Sequence, residues 1–365
     1  MSNAVAGHDG GAYTGAGGRR LVIDPASGAI VAPEPIPVNG RDYLDRIISA
    51  GVNSATVTLA AHADGFEPFL KSAHSYLCLF EAQRERVMQV QEIDDLERAR
   101  DGGRLGVVFG SQTGSIVGRD IWRWEIVHAL GLRQCCLTYS ERNALADGCM
   151  EPENRGLTAD GRQAVAEMNR LGITVDISHV GDRSSLEAIE LSTKPVIASH
   201  SNVRARCPSK RNLPDDVMRA LADKGGVMGI SPFSAMSYRE SGVRPTRADY
   251  LAMIDAAVEA VGIDHVGIGT DLYESYTKLS WESTTKRMYP SPWVFETRYC
   301  EGFDSVDDWP DVLTGLTERG YDDEAIGKLV GGNWLRVYEQ TWIRKGEAEH
   351  SPSELAADTF NLAAR

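Results

Sequence analysis

Two histidines stand out by where they fall in the chain. The runs VDISH and VIASH end in His179 and His200, each imidazole preceded by a serine and a short apolar stretch of strand character. Neutral imidazole is the commonest protein ligand for a metal, and histidines at neighbouring strand tips can meet one cation without a local spacing motif. Taken singly, each would serve equally well as a hydrogen-bonded ring in a polar pocket; together they favour a metal. In VGIGTDLYE, Asp271 closes another apolar run. A carboxylate there can bind metal or take a proton from attacking water, or else cap the segment that follows. Arg211, in PSKRNLPDD, precedes a helix start and offers a bidentate fork to a carboxylate or a tetrahedral oxyanion, the competing role being an ordinary surface arginine. Tyr139, Arg142 and Asn143 in LTYSERN add donors for a polar ligand. His62, His74 and His128 lie in helical or loop contexts and His265 begins a strand, so these four read as structural.

Such side chains converge only if the fold brings many strand ends to one place. From residue 21 onward, short apolar runs alternate with segments of helical period, each run ending in a polar or glycine-containing turn. The candidate strands are 21–23, 54–59, 105–109, 134–138, 174–177, 196–199, 227–230 and 265–269, with helical patterns such as 161–171, 213–223 and 250–261 between them. Repeated strand, helix, strand implies a parallel sheet with right-handed crossovers. An open doubly wound sheet would give the same alternation. Placement decides between them: Gln112, Tyr139, His179, His200 and Asp271 each sit at or just after a strand end, and barrels gather their chemistry at the C-terminal ends of many strands. The expectation is therefore a (β/α)8 TIM barrel of the metal-dependent hydrolase type.

The length of 365 residues suits one such barrel with insertions, because the fold needs about 250 residues and tolerates more. We expect a glycine-rich disordered leader over 1–18, a single barrel domain over 19–345 with an insertion at 273–308, and a polar tail over 346–365. The insertion carries Trp281 and Trp293 and reads as a lid or a subunit interface. A formal net charge of −14 works against nucleic acid and anionic membranes, both of which need clustered Lys and Arg, and leaves a small-molecule substrate as the simpler partner. No apolar stretch is long enough to cross a bilayer, and the N-terminus lacks the order of a signal peptide, so a cytoplasmic protein is expected. Six scattered cysteines without a CxxC pair point to free thiols.

The ordered blocks GLTADGRQAVAEMNRLGITVDISHV, PVIASHSNVRA, RNLPDD and GIDHVGIGTD resemble the membrane (renal) dipeptidase family of metallopeptidases, part of the wider amidohydrolase-like group. The resemblance runs from residue 21 to about 342. It implies that His179 and His200 are two metal ligands, that Arg211 contacts substrate, and that Asp271 handles the proton of the attacking water. It also exposes departures. Where the family carries Asp-Gly-His-x-Asp, this chain reads IDPASGA, placing Ala26 and Gly28 at the positions of a metal-binding His and Asp. Gln112 stands for the metal-bridging Glu, with Ser111 the alternative by one residue, and Tyr139 stands for the carbonyl-polarising His. Such a site suits one zinc on Gln112, His179 and His200, with no second metal, and Tyr139 as donor to a developing oxyanion. The resemblance further implies a homodimer. The function expected is hydrolysis of an amide C–N bond in a small amino-acid-derived substrate; a decarboxylation or other lyase step on the same barrel, and a metal-free binding protein, are the alternatives.

Overall fold

The computed structural model describes residues 20–27, 40–275, 277–289 and 292–343. The expected leader, the C-terminal tail and Gly28 lie outside the described residues. Nine strands form one parallel sheet: β1 (Ile23–Ser27), β2 (Ser54–Thr58), β3 (Val87–Val90), β4 (Leu105–Ser111), β5 (Leu132–Cys136), β6 (Thr174–Asp176), β7 (Ile197–Ala198), β8 (Val227–Ile230) and β9 (Val266–Ile268). Eight of them run in the order β1-β2-β4-β5-β6-β7-β8-β9, and β3 pairs only with β4, off that path. The result is a nearly closed barrel of eight parallel strands with helices between them, a (β/α)8 architecture.

The remaining gap, between β9 and β1, is bridged by side chains and single contacts. Ser27 and Leu272 form an isolated parallel bridge, and the Asp271 amide donates to the Ala26 carbonyl at 2.7 Å. The buried Asp24 carboxylate accepts from the Thr270 amide at 3.0 Å and from the Thr270 hydroxyl. Burial pushes its pKa up to about 7, against the pull of those donors. This seam explains one difference from the sequence reading. The first strand is Ile23–Ser27, beginning where residues 21–23 were expected to end, because its IDPAS sequence carries a proline and two polar residues that do not look like a strand. Val87–Val90 was not anticipated; four residues with a glutamine among them are too short to show a period.

Local sequence sets the elements that carry the site. The helix Ala159–Leu171 starts on Thr158, whose hydroxyl accepts from the Gly161 amide, and stops at Gly172 in left-handed conformation at φ 77°. The chain then turns directly into β6, whose continuation delivers His179. Strand β7 is only two residues long, and its tip is squeezed from inside the barrel: a Cβ on Gly229 or Gly269 would lie 2.0 or 1.8 Å from the Ser199 carbonyl oxygen. Only glycine allows that approach, which seats His200.

After β9 the described residues of 273–308, the segment read from sequence as an insertion, are made of short helical turns that include a π-helical turn at Trp281–Thr285. Its two ends are tied to helix α1 (Tyr43–Ser49) by Arg46, which donates to Glu274 at 2.6 Å, Asp307 at 2.8 Å and Ser305 at 2.6 Å. All six cysteines are free, and no helix among the described residues is long and apolar enough to cross a membrane.

Candidate metal centre and substrate cavity

The tips of β6 and β7 are held in register by a buried carboxylate. Asp176 accepts from the Ser178 amide at 2.9 Å, the Ser199 amide at 3.1 Å and the Gln134 side chain at 2.9 Å. The Ser178 hydroxyl in turn accepts from the His200 amide at 3.0 Å. The two imidazoles therefore meet, with Nε2 of His179 and Nε2 of His200 2.9 Å apart. Each outer nitrogen has its own hydroxyl: Ser140 Oγ lies 2.9 Å from Nδ1 of His179 and Ser199 Oγ 2.7 Å from Nδ1 of His200. Such partners fix ring orientation and let both Nε2 lone pairs point at one place. Burial first, and then the Arg211 charge, hold both histidines well below the ordinary imidazole pKa, so both are neutral near pH 7 and able to ligate.

The donor set fits one ion. Two nitrogens 2.9 Å apart are within reach of a common zinc, whose bonds to imidazole run about 2.0–2.1 Å. Among the described residues no group of three or more His, Cys, Asp or Glu is assembled to hold a metal. Gln112, His62 and Asp271 line the same cavity as His179 and are the candidates for a third protein ligand, Gln112 through its carboxamide oxygen. Its Nε2 faces Asp271 Oδ1 at 3.4 Å, which leaves its oxygen available.

Asp271 lines the same cavity as His179, Gln112 and Tyr139. Its pKa is pushed up to about 7, chiefly by burial, while the Arg211 charge and the Gln112 amide pull it back. Tyr139 stacks on His179 with ring centroids 4.1 Å apart. Arg211 is 2% exposed and donates to the His200 carbonyl at 3.0 Å and the Ser201 hydroxyl at 3.3 Å, while its Nε is buried with no partner. Thus His179, His200, Gln112, Asp271, Tyr139 and Arg211 come together.

Arg142 and Asn143 do not join them. They line an outer, more polar depression with Glu141. Asn143 uses its carboxamide within the loop, donating to the Leu137 carbonyl at 2.8 Å and accepting from the Leu145 and Ala146 amides at 2.8 and 3.1 Å. Arg142 is ion-paired with Asp147. Both brace the loop after β5 and face that second depression instead of the cavity of His179 and Asp271.

His62, set aside as structural from sequence, is at the site. It lines both the cavity and the outer depression, and its ring centroid is 4.1 Å from that of Tyr139. The strand-end logic that found His179 and His200 would have found it, four residues beyond β2, had Leu59–Ala60–Ala61 not blurred where the strand stops. Sequence also missed the cavity's far wall, built from Phe233 after β8 and from Trp281, Tyr289, Arg298 and Tyr299 of the insertion. These residues have no period to read. The cavity has a volume of about 160 Å³, the scale that takes a small organic group.

Comparison with known proteins agrees with this geometry. The family description "Membrane dipeptidase (Peptidase family M19)" matches residues 41–287. Dipeptidase aclJ of Aspergillus oryzae is 30% identical over 262 residues, covering 71% of this chain and 55% of that protein. Dipeptidase tcpJ of Claviceps purpurea is 28% identical over 267 residues, covering 72% and 57%. The chain thus spans a little over half the length of these curated relatives. Among solved structures, an amidohydrolase from Pseudomonas aeruginosa superposes with a TM-score of 0.80 at 28% identity, covering 88% of this chain and 97% of that one.

Proposed function

The chain belongs to the membrane dipeptidase family, and from that membership and the barrel mouth we propose a metal-dependent hydrolase that cleaves an amide or peptide C–N bond in a small amino-acid-derived substrate. The observation that carries the reading is the buried, neutral His179–His200 pair, each ring fixed by a serine hydroxyl, with His179 lining the cavity that holds Asp271.

His179, His200 and Gln112 would hold one divalent ion, zinc by its ligand types, whose chemistry when bound would be to acidify water and polarise a carbonyl. The protein's own groups do the rest. Asp271, with a pKa near neutrality, takes the proton of the attacking water and returns it to the leaving nitrogen. Arg211 offers its positive charge, felt at Asp271, to a substrate carboxylate or oxyanion. Tyr139, held by the stack on His179, donates to the developing oxyanion. With Ala26 where the family carries a metal-binding His and a neutral Gln112 where it carries the bridging Glu, one ligand and one negative charge are lost, which favours a single ion. The reading includes a cytoplasmic homodimer. The lyase and metal-free alternatives draw no support from relatives that are dipeptidases by name.

The test is metal analysis joined to turnover. Purified protein is expected to carry about one zinc per chain, and His179→Ala to lose both the ion and cleavage of a panel of dipeptides and N-acyl amino acids. A parent protein that stays metal-free in the presence of zinc near neutral pH would overturn the reading.

A further inference from the structure

A base must be aimed, and the backbone of Asp271 is not one that holds its own aim. At φ 53° the residue lies in the left-handed region, which an aspartate leaves when nothing keeps it there. The Gln112 amide, 3.4 Å from Oδ1, is too far to orient the carboxylate by itself. One hold comes from the barrel, where the Asp271 amide donates to the Ala26 carbonyl at 2.7 Å. The other comes from the segment 273–308. The Tyr299 hydroxyl donates to the Asp271 carbonyl at 2.7 Å and accepts from the Tyr273 amide at 2.8 Å. One phenol oxygen thus clasps the chain on both sides of Leu272.

Tyr299 can serve as a fixed point because its own backbone is pinned to the tip of β8. The Ser234 amide donates to the Arg298 carbonyl at 2.8 Å, the Cys300 amide donates to the Pro232 carbonyl at 2.8 Å, and Phe233 and Tyr299 form an isolated antiparallel bridge. The Tyr299 ring is buried and packs on Phe233, with centroids 5.8 Å apart. With the backbone anchored and the ring packed, β8 sets where the hydroxyl stands, and the hydroxyl sets the backbone of Asp271.

We infer that Tyr299 is a positioning residue for the hydrolysis proposed above: its hydroxyl keeps Asp271 in the conformation that turns the carboxylate into the cavity beside His179. The inference rests on the hydrolase reading and adds a residue to it. Without the hydroxyl, the Asp271 carbonyl and the Tyr273 amide each lose a partner, and Asp271 relaxes toward extended backbone, taking its carboxylate away from the attacking water. A displacement of about 1 Å at a reacting group can cost about 100-fold in rate. The ring left by Tyr299→Phe still packs on Phe233, so the cavity wall and substrate binding are retained.

The test pairs kinetics with a control that loses the same kind of bond. Tyr250 is another buried tyrosine whose hydroxyl donates to a strand-end carbonyl, that of Ile230 at 3.1 Å, and it is not among the residues that line the cavity. In the zinc-loaded enzyme Tyr299→Phe is expected to lower kcat about 30-fold or more with KM and bound zinc little changed, while Tyr250→Phe loses similar stability and keeps kcat. In an Asp271→Asn background, where no base is left to aim, Tyr299→Phe should cost less than about threefold. The same loss in both backgrounds, or an equal fall in kcat for Tyr250→Phe, overturns the inference. A crystal structure of Tyr299→Phe decides it without turnover: Asp271 is expected to leave the left-handed region, and an unmoved Asp271 overturns the inference. A parent enzyme that binds zinc and cleaves no amide would sink the hydrolase reading alone, and that structure would still decide whether Tyr299 holds Asp271.

Discussion

Among the described residues, four that are not glycine hold left-handed backbone: His62 at φ 52°, Ser140 at 58°, His179 at 68° and Asp271 at 53°. Three line the cavity and the fourth holds the His179 ring. Such conformations cost about 1–3 kcal/mol each and persist only where surrounding bonds over-determine them. Here they do. The Asp271 amide donates to Ala26 and its carbonyl accepts from the Tyr299 hydroxyl at 2.7 Å, while the His179 carbonyl accepts from the Cys149 amide at 2.9 Å. The strain aims side chains that an ordinary extended strand end would point elsewhere. Tyr139 is the residue whose contribution can be isolated, because its ring and its hydroxyl do different things. Tyr139→Phe keeps the stack on His179 and removes the donor, so kcat is expected to fall about 100-fold with KM little changed. Steady-state kinetics decide it: unchanged kcat removes the hydroxyl from the mechanism and leaves Tyr139 as packing.

At the scale of elements, the barrel's seam is its most pH-sensitive part. Asp24 has a folded-state pKa of about 7 against an ordinary value of 3.8. Between those limits the folded chain binds more protons than the unfolded one, so this group's contribution is complete below the lower value and is lost as pH rises through the upper, at up to about 1.4 kcal/mol per pH unit. His179 and His200 act oppositely. Held neutral when folded, they add stability as pH rises toward 6.5, which masks the slope in the parent alone. The difference between Asp24→Asn and parent isolates the seam. An asparagine still accepts from the Thr270 amide, so the variant is expected to be less sensitive to alkali, its melting temperature gaining on the parent's steadily from about pH 5 to pH 8. Thermal melts of chelator-treated protein would show it, and a constant offset across that range would mean the carboxyl does not titrate there. The same seam shows what sequence could not reveal. Strands made of apolar runs, such as Val227–Ile230, were legible because burial on both faces writes itself as composition. The strand IDPAS was not, since it is held by a carboxylate contact to a residue 246 positions away. His179, His200 and Asp271 were legible as polar residues ending apolar strands. His62 and the aromatic wall were not, because their roles depend on which loops meet over the barrel mouth.

For the whole molecule, the question is what keeps the insertion over the mouth, since it supplies Trp281, Tyr289, Arg298 and Tyr299 to the cavity. Arg46 is the cross-link. Its side chain is 4% exposed and binds Glu274, 15% exposed, near the start of the insertion and Asp307, 40% exposed, near its end. Glu274 also accepts from the Val306 amide at 2.7 Å, so the two ends are joined to each other as well as to α1. Removing one member of a buried ion pair costs about 3–5 kcal/mol because the partner charge is stranded. Solvent at Asp307 screens part of that, and about 2–3 kcal/mol is expected for Arg46→Met, which keeps the apolar stem. If the clamp also seats the wall, KM should rise several-fold with kcat less affected, and adding Glu274→Gln, which removes the stranded charge, should recover stability more than KM. Denaturant unfolding and steady-state kinetics on the single and double variants separate the two effects. A destabilised single variant with unchanged KM would confine Arg46 to holding the fold, and the insertion would then owe its position to the packing of Trp281 and Tyr289 on Phe233.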